Sequence, residues 1–320
     1  MTDLMVEGLP LWFFKVFALL IGAAFGSFAN VVIYRVPLGR SVVRPGSSCP
    51  GCGHEIAWYE NIPIASWLFL RARCSSCGTR ISIRYPLIEL MTAVLSLACM
   101  MLGIAAVPGL ELTAARLVLL WFFPFALCFL TVCIVFIDFE HWIIPHPLTA
   151  AGIVLGIASS VVLAPPLGDV HWYESLIGAA AGALPIIAII EIYFRLTGRE
   201  GMGYGDVMLM AMAGAWFGYL ALPFILLASS IQGLLGAIPA VVSKNRPVPP
   251  WEGAEAAEAD ATDAEPADAT APDGSAIHVD RPAAEAGELR HLALPFGPFI
   301  GLAMIEWLFF GDLVTTWFFG

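Results

Sequence analysis

RLVLLWFFPFALCFLTVCIVFID, residues 116–138, runs twenty-one positions without a charge between Arg116 and Asp138. Crossing the ~30 Å hydrocarbon core of a bilayer takes about 20 apolar residues in a helix, so this stretch predicts one transmembrane span. Working outward, comparable runs lie at roughly 11–34, 86–107, 147–164, 174–194, 205–222, 223–242 and 292–319. The 205–242 stretch could form one long kinked helix, but Gly218, Pro223 and the polar Ser229, Ser230 and Gln232 favour two. The chain is 59% hydrophobic and 13% charged, with a mean hydropathy of +0.83, which lies outside the soluble globular range. The expected fold is an all-α polytopic membrane protein of about eight transmembrane helices, with the lipid bilayer as its first partner.

Basic residues are retained on the cytoplasmic side of short loops. Seven of the 15 Lys and Arg (Arg35, Arg40, Arg44, Arg71, Arg73, Arg80, Arg84) fall between the first and second runs. Arg195 and Arg199 follow the fifth, and Lys244, Arg246, Arg281 and Arg290 lie between the seventh and eighth. With both chain ends outside, all three loops face the cytoplasm, so 13 of 15 cations share one side. The first run follows Asp3 and Glu7 rather than a basic segment and exceeds a signal-peptide core, which predicts a retained helix.

The net charge of −11 is concentrated in one tract. Residues 252–288 hold eleven acids against one Arg and almost no large apolar side chains. Such a segment cannot bury enough surface to offset its ordering entropy, which predicts a disordered, solvated insertion. The remainder has 15 acids against 14 bases and is nearly neutral. No basic footprint for nucleic acid is present.

Cys49-Pro50-Gly51-Cys52 and Cys74-Ser75-Ser76-Cys77 form two C-x2-C pairs, each followed by Gly (Gly53, Gly78). Glycine turns let backbone amides point at thiolate sulfurs, and four thiolates close a tetrahedral structural zinc site. The alternatives are a redox dithiol or two disulfides, and a cytoplasmic placement argues against persistent disulfides. A domain of about 50 residues can scarcely build its own core, so a metal staple suits its size. Cys99, Cys128 and Cys133 lie within apolar runs and read as packing residues.

Ionisable groups in spanning segments are costly and default to functional candidates. Asp138 closes the third run and Asp206 opens the sixth, in Gly203-Tyr204-Gly205-Asp206. Counting crossings brings both to the cytoplasmic face. A peptidase dyad needs that placement, because one Asp acts as base on water while its protonated partner polarises the scissile carbonyl. Gly203 and Gly205 would let extended substrate backbone approach Asp206. Two other readings stay open: Asp206 as a simple helix cap, and a proton-coupled transporter using the same pair. Glu89, Glu191 and Glu306 are candidate partners for Arg84, Arg195 or Arg199. The six histidines show no i,i+4 ligand pattern.

Taken together the chain resembles the bacterial type IV prepilin peptidases, GxGD membrane aspartic peptidases, over nearly its whole length apart from the acidic tract. The segments that carry the resemblance are Phe25-Gly26-Ser27-Phe28 with Asn30-Val31-Val32-Ile33-Tyr34-Arg35 and Pro37; both cysteine pairs; Trp58-Tyr59-Glu60-Asn61-Ile62-Pro63 with Ser66-Trp67; Ile83-Arg84-Tyr85-Pro86 with Glu89; Ile137-Asp138; Gly198 through Asp206; and Pro295-Phe296-Gly297-Pro298-Phe299. The resemblance implies Asp138 and Asp206 as the catalytic pair. It implies leader cleavage of prepilins and type II secretion pseudopilins after a Gly, then N-methylation of the exposed residue with S-adenosylmethionine, at the cytoplasmic face of the bacterial inner membrane. The cysteine domain is the part associated with methylation, and Glu60, Asn61, Arg84 and Glu89 are named as candidate cofactor neighbours. A monofunctional peptidase and a non-catalytic or proton-coupled membrane protein are the rival readings.

Two positions depart from the family pattern. Ile144-Pro145-His146 stands where leucine-proline-aspartate is usual, and Met208 stands where Lys usually follows the second Asp. The expected organisation is a first helix over 1–34, a cytoplasmic zinc-knuckle domain over 35–85, a peptidase core over 86–243, the acidic insertion over 244–291 and a last helix over 292–320.

Overall fold

The computed structural model describes residues 5–106, 113–163, 170–198, 203–243 and 295–319. The acidic tract, residues 199–202 of the glycine motif and the start of the expected last run at 292–294 lie outside the described residues. The chain divides into two compact units, Met1–Ser230 with Phe296–Gly320, and Ile231–Pro295.

A two-strand ribbon, β1 (Met5–Val6) against β2 (Leu9–Pro10), precedes α1 (Leu11–Arg35). Then come a 3-10 turn at Trp58–Asn61, the short α2 (Ala65–Phe69), α3 (Arg84–Ala105), α4 (Ala114–His141), α5 (His146–Val162) and α6 (Trp172–Thr197). The chain continues through α7 (Tyr204–Phe217), a 3-10 turn at Tyr219–Ala221, α8 (Leu222–Ser243) and α9 (Gly297–Phe319). All eight expected helices are present, and the protein is a helical, multi-pass membrane protein. Among the described residues, six segments are long and apolar enough to cross a membrane: α1, α3, α4, α6, Tyr219–Ile238 and Gly297–Trp317. At 17 and 14 residues, α5 and α7 are about 25 and 21 Å long, short of a full crossing. The break between α7 and α8 falls at Gly218, where φ is +72°, a value that suits glycine and ends the helix.

Lipid tails are as apolar as leucine, so helices in a membrane are joined by close backbone packing and interhelical hydrogen bonds. The sequence supplies small residues where that is needed. A Cβ on Gly22 or Gly26 of α1 would strike Ser96, Thr92 or Glu89 of α3. The Ser96 hydroxyl donates to the Ala18 carbonyl at 2.7 Å and accepts from the Trp121 indole at 3.0 Å, joining α1, α3 and α4. On the other side Gly178 and Gly182 of α6 lie against the backbone of Gly214 and Met210 in α7. The Ser175 hydroxyl bonds the Ala215 carbonyl at 2.6 Å, and the Trp216 indole bonds the Gly152 carbonyl of α5 at 2.8 Å.

Helix α4 is the hub. Its Phe123, Leu127, Leu130 and Ile134 join α7 and α9 in one apolar cluster. Its Leu117, Trp121, Phe125 and Cys128 join α1 and α3 in a second, and Val132, Cys133 and Ile137 complete a third with Ala29, Val32 and Ile33 in the C-terminal part of α1. Cys99, Cys128 and Cys133 are fully buried packing residues, as expected.

Candidate active site and thiol centre

Asp138 lies in the last turn of α4 and is only 4% exposed. The helix ends just beyond it: Trp142 adopts a left-handed conformation and its N–H bonds the Asp138 carbonyl at 2.9 Å. Asp206 is half-buried in the first turn of α7, whose N-cap is Gly203. The two side chains are near enough for their charges to interact. Two Asp separated by 67 residues are thus brought into one neighbourhood, with Ile144 packed against both Gly205 beside Asp206 and Gly297 beside Asp138. Asp206 is the acidic residue of the first turn of α7, three positions after the N-cap Gly203, so the helix start also favours its charge.

Each carboxylate faces a helix N-terminus. The Gly297 amide, first in α9, is directed at Asp138, and Asp206 lies inside the first turn of α7. Free amides and the helix dipole at both ends favour negative charge there. Asp138 Oδ2 has no hydrogen-bond partner among the described residues.

The walls are set by two glycines and one isoleucine. A Cβ on Gly205 would come within 2.7 Å of Ile144 Cβ, and a Cβ on Gly297 would strike Asp138 Oδ2 and approach Ile144 Cδ1 at 3.0 Å. Ile144 therefore packs between the glycine motif and α9, beside the dyad. Among the described residues a Cβ on Gly203, by contrast, meets only the Gly205 amide nitrogen, at 3.9 Å. The sequence-based expectation treated both motif glycines as room for substrate; the structure gives Gly205 to Ile144 and leaves Gly203 open. At the atypical position, the ring of His146 hydrogen-bonds the Ile144 carbonyl at 3.2 Å and is exposed to solvent.

The four cysteines come together. Their Sγ atoms lie within 4.8 Å of one another, with Cys49 and Cys77 at 3.8 Å. Tetrahedral coordination at the ~2.3 Å Zn–S distance requires sulfurs about 3.8 Å apart, so the donor set fits a zinc ion. The two halves are built alike. Gly53 and Gly78 have φ of +72° and +71°, their amides bond the Cys49 and Cys74 carbonyls, and short bridges Ser48–Glu55 and Arg73–Arg80 brace each turn. The Thr79 hydroxyl and amide draw the Cys77 thiol down to about 6, and the amides of Gly51 and Cys52 hold Cys49 below its ordinary value. Cys52 is pushed up to about 11, the downward pull of the His54 amide being outweighed by the neighbouring thiols. Four thiolates cannot all ionise together without a cation to offset their repulsion.

The four candidate cofactor neighbours are spread over several contacts. Glu60 ties the two cysteine turns: Ser75, the Ala57 amide and His54 all bond or face its carboxylate and hold its pKa below the ordinary value. Asn61 accepts from the Ser27 hydroxyl at 3.5 Å and borders a cavity of about 240 Å³ with Ser27, Arg35 and Ser47. Buried Glu89 accepts the Ile64 amide at 2.7 Å. Arg84 pairs with Glu140 and lies over the Phe136 ring at 5.7 Å. Among the described residues Arg84 thus takes Glu140 rather than Glu89, while Arg195 pairs with Glu191 at 2.7 Å as expected. Glu140, Ile144 and the close fit of Gly297 were not singled out from sequence; the Pro-Phe-Gly-Pro segment was the one signal pointing to the last.

Fold and site together define a polytopic membrane protein with paired carboxylates and a four-thiol centre on one side. The description "Bacterial Peptidase A24 N-terminal domain" matches residues 20–102, and "Type IV leader peptidase family" matches residues 125–238. A prepilin leader peptidase/N-methyltransferase of Myxococcus xanthus is 38% identical over 94% of this chain and 92% of its own length. Proteins of the same description from Aeromonas salmonicida and Dichelobacter nodosus are 32% and 36% identical, covering 98% and 78% of this chain and 96% and 89% of their own. No solved structure matches. The chain belongs to the type IV leader peptidase family.

Proposed function

We propose that the chain removes the leader peptide from prepilins and N-methylates the residue so exposed. The observation that supports the reading is that Asp138 and Asp206 share one neighbourhood around Ile144, close to two helix N-termini, in a chain that shares nearly its full length with proteins of that description. Type II secretion pseudopilins are proposed as further substrates.

In the cleavage step one carboxylate takes a proton from water, and the oxygen attacks the scissile carbonyl carbon. The protonated partner donates to the carbonyl oxygen, and collapse of the tetrahedral adduct expels the amine with a proton. The pair titrates as a unit. A prepilin's apolar helix would lie in the bilayer against α4–α7, with its leader beside the dyad. The bias of basic residues toward three loops supports a cytoplasmic orientation of that face, in the bacterial inner membrane.

S-adenosylmethionine supplies the methyl group at an electrophilic carbon. The protein's task is to keep the new α-amine neutral and aligned, which proximity to the peptidase site favours. Asn61 is the candidate nearest a cavity, while Glu60, Arg84 and Glu89 would act through the contacts they make. Zn²⁺ held by Cys49, Cys52, Cys74 and Cys77 would fix the domain over residues 35–85. Residues 86–243 form the peptidase core in this reading, flanked by the helices over 1–34 and 292–320 and by the insertion over 244–291.

The test is co-expression with a prepilin and mass spectrometry of the pilin N-terminus. The wild type should remove the leader and add one methyl group; Asp138→Asn and Asp206→Asn should leave the leader intact. Leader removal by either variant would overturn the dyad.

A further inference from the structure

Between the two helices that flank it, the cysteine domain is unusually basic and unusually apolar on its outside. Residues 35–85 carry seven Arg against Glu55 and Glu60, in a chain whose net charge is −11. Trp58 and Phe69 are 81% and 86% exposed, and Tyr59, Ile62 and Leu68 are exposed beside them. Helix α2 is inverted for a water-facing element: Ser66 is buried and bonds the Tyr59 carbonyl, while Leu68 and Phe69 point outward.

Depth explains the inversion. Asn61 bonds Ser27, eight residues before the end of α1, and Ile64 bonds Glu89, five residues after the start of α3. At 1.5 Å per residue those anchors lie about 12 Å and about 7 Å below the helix ends. Helix α1 has about five residues, or ~7–8 Å, more than a span needs, so anchors at these depths would bring residues 58–70 to the membrane interface, at and just inside the headgroup level. The anchor is held against strain. Ile64 has φ +63° and ψ −50°, a γ-turn conformation costly for a β-branched residue, closed by the Ala65 amide on the Pro63 carbonyl. Such strain persists where surroundings over-determine it, here through the buried Glu89 carboxylate.

We propose that residues Trp58–Leu70 form a membrane-interface segment, seated in the phospholipid leaflet through Trp58, Tyr59, Leu68 and Phe69, with Arg71 and Arg73 on lipid phosphates. Aromatic rings belong at that level, and basic side chains beside them meet the negative leaflet surface. A mostly apolar groove lined by Tyr59, Ile62, Ala65, Phe69 and Leu70, with Glu60 and Ser66 as its polar members, opens on the same segment and suits an acyl chain. The inference rests on the membrane-spanning fold and not on the enzymatic reading.

The test uses the full chain in phosphatidylglycerol/phosphatidylethanolamine nanodiscs, with p-benzoylphenylalanine replacing exposed Phe69. Ultraviolet exposure should give phospholipid adducts by mass spectrometry, unchanged in yield when a prepilin is added. No lipid adduct would overturn the proposal, and so would adducts that pass from lipid to the prepilin, which would make the surface a substrate dock. A second measurement needs no photoprobe: acyl-brominated lipids should quench wild-type tryptophan fluorescence more than that of Trp58→Phe. Equal fractional quenching of the two would also overturn it.

Discussion

Gly297 offers a sharp perturbation because its missing side chain is what lets α9 reach Asp138. Gly297→Ala would put a methyl group onto Asp138 Oδ2 and within 3.0 Å of Ile144 Cδ1. Relief requires the carboxylate to move by about 1 Å, and a misplacement of that size costs on the order of 10²-fold in rate, or about 2.7 kcal/mol of barrier. Gly205→Ala meets Ile144 Cβ at 2.7 Å, close to backbone, and should do comparable damage. Gly203→Ala meets nothing closer than 3.9 Å among the described residues and should cleave within about twofold of wild type, since ordinary contact carries no overpacking cost. The assay is leader removal from purified prepilin in detergent, with methylation of a pre-cleaved pilin as the control for folding. Methylation should persist in all three variants. Wild-type cleavage by Gly297→Ala or Gly205→Ala would refute the packing argument, and a hundredfold loss in Gly203→Ala would return that glycine to substrate contact.

Two further expectations concern the cysteine domain. Elemental analysis should find one zinc per chain, and either chelation or Cys52→Ser should abolish methylation while sparing leader removal and should raise hydrogen exchange across residues 45–82. Ala72 sits at φ +58°, where a non-glycine residue costs ~1–2 kcal/mol. Ala72→Gly should therefore stabilise the domain by about 0.5–1 kcal/mol after the added chain entropy, read as a higher melting temperature.

The features legible from sequence were those written locally. Apolar runs marked the helices because a span must hide every backbone polar group within itself. The cysteine pairs announced a four-thiol cluster because that depends on local spacing, while the nearness of Asp138 and Asp206 depends on how α5 and α7, both short of a full span, are packed. What stayed hidden depends on partners distant in the chain. Ile144 is one apolar residue among many until α7 and α9 close on it from positions 205 and 297. The break after α7 was legible too: Gly218 is among the residues that divide the 205–242 stretch, and a positive φ there ends the helix five residues before Pro223. Ile64 carries no sequence signal for its turn, because the carboxylate that holds it arrives from α3.

The Arg84–Glu140 pair has a consequence for how the chain could be divided. One partner stands in the stretch matched by the amino-terminal description and the other in the stretch matched by the peptidase description, two residues beyond Asp138. It works as a key between two parts that could otherwise be exchanged among relatives as interchangeable modules. A chimera inheriting only one of the two would leave a guanidinium or a carboxylate unmatched at the seam, and a transplant of either half should carry both residues.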